Sequence, residues 1–253
     1  MNKLLTTPSE ALVADMAKID GDIVILGAGG KMGPSLSVLI KNACEAAGSD
    51  KKVTAVSRFT DPYAVALLED SGVRVHRAEL LDPAALERLP DAENVIFMAG
   101  RKFGTGGQEA LTWAMNAWLP SLVAERYKHA RIVAFSSGNV YPMLDPAEGG
   151  AHEDTPPEPV GEYAMSCLAR ERIFEYASLN YGTPVCLYRL NYSVDLRYGV
   201  LYDLAARIAD SRPVRITTPY VNCIWQGSAN EAAARCLLLC DSPAARIKLC
   251  DVE

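Results

Sequence analysis

Several features are scarce in this chain, and each absence narrows what it does. No apolar run approaches the roughly 18 residues needed to span a bilayer. The N-terminal Met-Asn-Lys-Leu-Leu-Thr-Thr-Pro carries neither the apolar core nor the cleavage site of a secretory leader. No basic block exists and the net charge is −6, which argues against nucleic acid or an anionic membrane as the main partner. The three histidines, His76, His129 and His152, are far apart in sequence and suggest no ligand set. Cys-x-x-Cys is missing too. The seven cysteines (Cys44, Cys167, Cys186, Cys223, Cys236, Cys240, Cys250) are scattered and odd in number, a pattern expected of reduced thiols in a cytoplasmic protein. Cys236 and Cys240 lie one helical turn apart without sequence partners, so no metal site is expected.

What remains is ordinary for a globular chain: 49% apolar and 22% charged residues over 253 positions, enough to bury a full core. The chain is organised around Asp22-Ile-Val-Ile-Leu-Gly-Ala-Gly-Gly-Lys-Met-Gly33. The apolar, β-branched run 23–26 reads as a buried strand, and residues 31–47 carry a helical apolar period. Strand, glycine turn and helix in this order form a phosphate-cradling unit. Gly27 permits the tight turn, Gly30 lets backbone approach a pyrophosphate, and Gly33 lets helix and strand pack closely. The helix start offers free N–H groups and the positive end of its dipole to phosphate.

In chain order, Thr7-Pro8-Ser9-Glu10 reads as a helix start with a Thr cap, giving a short helix over 8–18. Strands are expected at 23–26, 52–57, 73–77, 94–99 and 131–135. Helices are expected at 61–70, after Asp82-Pro83, and at 110–127. This β-α alternation predicts an α/β fold, a Rossmann-type doubly wound parallel sheet with helices on both faces. A long Pro-, Gly- and acid-rich loop over 138–161 follows, of a length usually tied to function or motion. A helix at 162–179 and a strand at 184–189 complete residues 1–190 as a dinucleotide-binding domain. Residues 191–253 then form a small or truncated C-terminal substrate lobe packed on the first domain. It would hold a helix near 199–210, a strand near 213–217, a helix near 228–240 and a strand near 246–250.

Taken together, these pieces resemble the extended short-chain dehydrogenase/reductase family, in its NAD-dependent epimerase/dehydratase branch. The resemblance runs from about residue 22 onward. Gly27-Ala28-Gly29-Gly30-Lys31-Met32-Gly33 fits the family's GxxGxxG, and Phe135-Ser-Ser-Gly-Asn-Val-Tyr141 resembles its run ending in Val-Tyr-Gly. Glu153-Asp154 with Pro156, Pro157 and Pro159 resembles the acidic loop before its catalytic helix, and Tyr163-Ala-Met-Ser-Cys167 falls on YxxxK. The resemblance implies Tyr163 as the proton-transfer group and Ser137 as the donor that positions the substrate oxygen. It places Glu79-Leu80 beside the adenine and Ala99-Gly100 where bulk would block the cofactor. Asn116 falls at a structural Asn of the cofactor domain. The resemblance further implies a carbohydrate-like small-molecule substrate and a homodimer through the 110–127 and 162–179 helices.

One position departs from the pattern. The family's Lys is Cys167 here, four residues after Tyr163 on the same helix face. A phenol titrates near pH 10 and needs a nearby cation to act as a base at neutrality. A thiol supplies none. Arg170, Lys102 and His152 are substitute cations to consider. Two functions stay open: a working NAD(P)-dependent oxidoreductase, epimerase or dehydratase, and a catalytically impaired dinucleotide-binding sensor or scaffold. At the end of the second strand, Ser57-Arg58 is neutral and then basic, which favours NADP(H) over NAD(H) because Arg grips a 2′-phosphate with paired bonds. Trp113 and Trp118 read as core or interface residues.

Overall fold

The computed structural model describes residues 2–102, 106–145, 147, 149–215 and 220–249. Two short helices, α1 (Asn2–Thr6) and α2 (Glu10–Met16), precede the first strand. The cap of α2 is Ser9, whose hydroxyl accepts from the Leu12 N–H, rather than Thr7. Thr7 instead donates its hydroxyl to the Lys3 carbonyl and closes α1, so the expected helix over 8–18 is shorter.

The core alternation follows the expected order: β1 (Ile23–Leu26), α3 (Gly33–Ala46), β2 (Val53–Ser57), α4 (Pro62–Asp70), β3 (Arg74–Arg77), α5 (Pro83–Glu87) and β4 (Asn94–Phe97). Asp61 and Asp82 cap α4 and α5, each accepting from a backbone N–H two residues on, with Pro in the first turn. After β4 come α6 (Glu109–Trp113), a π-helical turn (Ala114–Trp118) and α7 (Leu119–Arg126). The helix expected over 110–127 is thus interrupted. Pro120 has no N–H to give the Asn116 carbonyl four residues back, and Leu119 bonds to Ala114 across five residues.

Next are β5 (Arg131–Ser137), α8 (Gly161–Tyr181) and β6 (Val185–Leu190). Gly182, at φ +71°, ends α8 in the left-handed conformation. Past residue 190 the chain makes β7 (Tyr192–Val194), α9 (Val200–Ala209), β8 (Cys223–Trp225), α10 (Gln226–Arg235), a 3-10 turn (Cys236–Leu239) and β9 (Ala245–Leu249). The strand expected near 213–217 does not form over 213–215, and residues 216–217 lie outside the described residues. The place of that strand is taken by β8, which pairs in parallel with β7.

The main sheet has seven parallel strands in the order β3-β2-β1-β4-β5-β6-β9. Successive residues point to opposite faces. Ile23, Ile25, Val133, Phe135, Cys186 and Tyr188 pack with α2, α3, α4 and α10. Val24, Leu26, Ile132, Ala134, Val185 and Leu187 pack with α5, α7 and α8. Fully burying one such side chain is worth about 1.5–3 kcal/mol. The order reverses between β1 and β4, and the crevice at their C-terminal ends is where an open α/β sheet binds its ligand. No described helix is long and apolar enough to cross a membrane, and no metal-ligating cluster occurs among the described residues.

Candidate active site

The glycine turn lies at that crevice. Gly27 adopts φ +89°, and a Cβ there would come within 2.5 Å of the Ala99 backbone. The ends of β1 and β4 therefore touch through a glycine. Gly33 is buried, and a Cβ on it would sit 2.2 Å from the Ala28 carbonyl oxygen. Gly29 and Gly30 between them are exposed, and at Gly30 a Cβ would meet nothing closer than the Gly27 carbonyl at 3.7 Å. At α3 the cap residue, Met32, supplies no side-chain hydrogen bond. Exposed glycine backbone thus leads directly into a helix start without a side-chain cap, an arrangement able to receive a diphosphate. These residues fit a dinucleotide.

Two further elements fix the turn. The Ser35 hydroxyl donates to the Met32 carbonyl at 2.9 Å and accepts from Gln226 and Asn230 of α10, each at 2.9 Å. Lys31 places its ammonium over the Tyr198 ring, and the Tyr198 hydroxyl bonds to Gln226. Sequence reading missed this network because its members lie far apart in the chain.

At the adenosine end, a Cβ on Gly29 would approach Ser57 Oγ to 2.6 Å, which places Ser57 against the turn. Arg58 is exposed and lies 3.5 Å from a Glu79 carboxylate oxygen. The other oxygen of Glu79 accepts from the Leu81 N–H, and Leu80 is buried beneath.

The polar centre lies beyond the end of β5. Ser137 is buried; its hydroxyl donates to Asn139 Oδ1 at 3.2 Å and accepts from the Asn139 N–H at 3.1 Å, and it lies near enough to the Tyr163 phenol to draw its pKa down. The Cys167 thiol, one turn along α8, lies beside that phenol in the same small cluster. Tyr163 packs on the small apolar cluster of Val140, Tyr141 and Cys167. Burial, seconded by Cys167, pushes the Tyr163 phenol up to about 12, while Ser137 and the Arg170 charge pull it down. Burial likewise raises the Cys167 thiol, against the opposing pull of Arg170 and Tyr163. Both groups are neutral at pH 7.

Of the substitute cations, Lys102 and His152 are exposed, whereas Arg170 is buried and acts on the phenol. Its guanidinium donates to the Phe135 carbonyl and to Asn116 Oδ1, both at 2.7 Å. Asn116 is fully buried. It accepts from the Arg101 N–H at 2.8 Å and donates to the Arg101 carbonyl and Ser166 Oγ, each at 3.0 Å. Its influence therefore passes through the loop after β4. Gly100 completes this corner, since a Cβ there would meet Arg170 Nη2 at 2.5 Å. Behind it, Glu171 and Arg189 form a buried two-pronged ion pair at 2.9 and 2.7 Å, bonded also to Ser136 and Tyr141.

A glycine turn at the switch point of a parallel sheet, with a Ser–Tyr pair beside it, defines a Rossmann-type dinucleotide-binding protein. The family model for the NAD dependent epimerase/dehydratase family matches residues 23–216, and the chain belongs to that family of nicotinamide-dependent enzymes. No curated protein matches. Solved structures share the fold at low identity. dTDP-glucose 4,6-dehydratase from Bacillus anthracis, in complex with NAD, superposes with a TM-score of 0.77 at 14% identity, covering 92% of this chain and 76% of its own. UDP-glucuronic acid 4-epimerase from Bacillus cereus, also with NAD, gives 0.73 at 18%, covering 92% and 79%. RMD from Pseudomonas aeruginosa, complexed with NADPH, gives 0.70 at 19%, covering 92% and 79%.

Proposed function

We propose that the protein moves a hydride between a nicotinamide dinucleotide and a carbohydrate-like hydroxyl or carbonyl, of the nucleotide-sugar type that related folds bind, with Tyr163 as its proton-transfer group. The observation that carries this reading is the meeting of Ser137 and Tyr163 beside a glycine turn built for a diphosphate. The bound cofactor supplies or accepts the hydride. Ser137 holds the substrate oxygen through its hydroxyl. Tyr163, kept protonated by its surroundings, delivers its proton to that oxygen as negative charge builds there, so reduction of a carbonyl is the favoured direction.

NADP(H) is the favoured cofactor. Ser57 places no carboxylate against a 2′-phosphate, and Arg58 is exposed with a single weak surface partner in Glu79. The exposed Tyr192, Tyr202 and Tyr220 support a substrate side of the cleft in the C-terminal lobe expected over 191–253. Exposed Leu111, Trp118 and Met165 on α6, the π turn and α8 support a homodimer through those helices. The free thiols suit a reducing cytoplasm.

Titration with NADP(H) and NAD(H), followed by fluorescence and melting temperature, tests the reading. A ligand at a hundredfold excess over its dissociation constant stabilises by about 2.7 kcal/mol. Binding of NADP(H) opens a screen of nucleotide-sugar carbonyls for cofactor oxidation. Failure to bind either cofactor removes the proposal.

A further inference from the structure

Arg170 is a buried guanidinium without a carboxylate. Only 6% of it is exposed, and among the described residues no acid lies within ion-pair distance of it. Its sequence neighbour Glu171 is fully engaged by Arg189. The partners of Arg170 are a carbonyl, an amide oxygen and the Phe97 ring, 5.6 Å from its centre. Its Nε has no hydrogen-bond partner. A buried charge is costly unless something offsets it, and the resting protein provides only dipoles. Two ionisable groups on the same side of α8 feel its charge, Tyr163 and Cys167, and Tyr163 is the one that the proposed reaction leaves as an anion. It becomes a phenolate at the moment it gives up its proton. Cys167 lies between the two on the helix and is neutral, so it does not screen one from the other with opposite charge.

We infer that Arg170 is a positioning residue for proton transfer, a fixed positive charge that stabilises the Tyr163 phenolate and stands in for a cation absent from position 167. This rests on the function proposed above and adds the residue that makes the tyrosine usable. In carbonyl reduction the hydride adds to carbon, the C=O pair moves to oxygen, and oxygen takes the phenol proton. The negative charge left on Tyr163 falls within the field of Arg170 until solvent returns the proton. Asn116 and the Phe135 carbonyl hold the guanidinium, so it contributes through charge at a fixed place and does not need to move.

A fluorinated tyrosine incorporated at position 163 lowers the intrinsic phenol pKa and lets fluorine NMR follow its titration in folded protein. Arg170→Gln, which keeps a donor for the Phe135 carbonyl, is expected to raise the midpoint by about one unit, the lower end of the effect of a nearby opposite charge. Arg170→Lys is expected to restore most of it, which a purely structural role would not require. If Arg170→Gln does not fold, Asn116→Asp neutralises the guanidinium in place and is expected to raise the midpoint likewise. A midpoint unchanged in the folded neutral variant overturns the inference. Cofactor titration of the same wild-type sample separates the two ideas. Absence of binding sinks the proposed function, whereas binding with a midpoint indifferent to Arg170 sinks this inference alone.

Discussion

The ammonium of Lys31 sits 3.9 Å from the centroid of the Tyr198 ring, so the glycine turn and the segment after β7 are joined by a cation–π contact. The contact and the hydroxyl bond to Gln226 are separable. Tyr198→Phe keeps the ring and is expected to cost about 0.5–1.5 kcal/mol through the lost hydrogen bond. Tyr198→Leu loses a further contribution of about 0.5–1 kcal/mol from the cation. Urea unfolding measures both, and equal losses in the two variants rule out a stabilising role for Lys31.

Two glycines of the turn differ in what they protect. At Gly33 an added methyl collides with the Ala28 backbone, so Gly33→Ala should lower stability by about 1–3 kcal/mol. At Gly30 the methyl has room, and Gly30→Ala should leave the melting temperature nearly unchanged while weakening dinucleotide binding. Melting and cofactor titration of both variants check the pair. A stable Gly33→Ala protein would contradict the packing argument.

Arg58→Ala should weaken NADP(H) binding by about 1.5–3 kcal/mol, the usual worth of a hydrogen bond to a charged group. That is roughly ten- to a hundredfold, with NAD(H) binding little changed. Competitive binding of the two cofactors reads this directly. Equal losses for both would place Arg58 outside any 2′-phosphate site.

Tyr163→Phe should reduce turnover by about 10²–10⁴-fold, the usual contribution of a positioned proton donor, with cofactor binding retained. Burial pushes the phenol up to about 12, so it remains a donor through neutral and mildly alkaline pH. Cys167→Lys brings a cation beside it and should move its midpoint down. That variant should also be less stable, because a second charge then lies near Arg170. Rate–pH profiles and melting curves of the two variants test each part.

Glu175 gives an acid-side prediction. Burial works against its charge, but hydrogen bonds from Arg172 and Arg246 more than offset this and hold the carboxyl below 4.5. The folded pKa is thus depressed, so the stabilisation is present above 4.5 and fades as pH falls through the folded value. Glu175→Gln should flatten this decline. Urea midpoints measured above and below pH 4.5 reveal it, and an unchanged slope would discount the pair.

The glycine unit was legible because strand, turn and helix are contiguous, and Gly27 and Gly33 each answer a local geometric need. Ser137 and Tyr163 came into view by resemblance and Arg170 as one of three candidate cations, but the surroundings of Arg170 could not be read. Its meaning depends on Phe135 and Asn116, which come from other elements. Periodicity could not distinguish the π turn at Asn116 from ordinary helix, since one extra residue per turn barely alters the apolar pattern. The β7–β8 pair was invisible for a related reason. Tyr192 meets Cys223 across an intervening helix, with no hairpin signal between them. Ser35 and Gln226 are 191 residues apart, and nothing local ties them. The helix α1 was missed because five residues form a helix only with support from α3.

The position of β9 bears on how this chain is made. Among the strands of the main sheet, it is synthesised last, yet it pairs with Cys186–Leu190 of β6. Until it emerges, Cys186, Leu187, Tyr188 and Arg189 belong to an edge with unpaired backbone groups, the kind of surface that recruits foreign strands. A nascent chain can therefore complete its glycine turn and Ser137–Tyr163 pair while still prone to association. Its solubility during translation depends on a strand that touches neither.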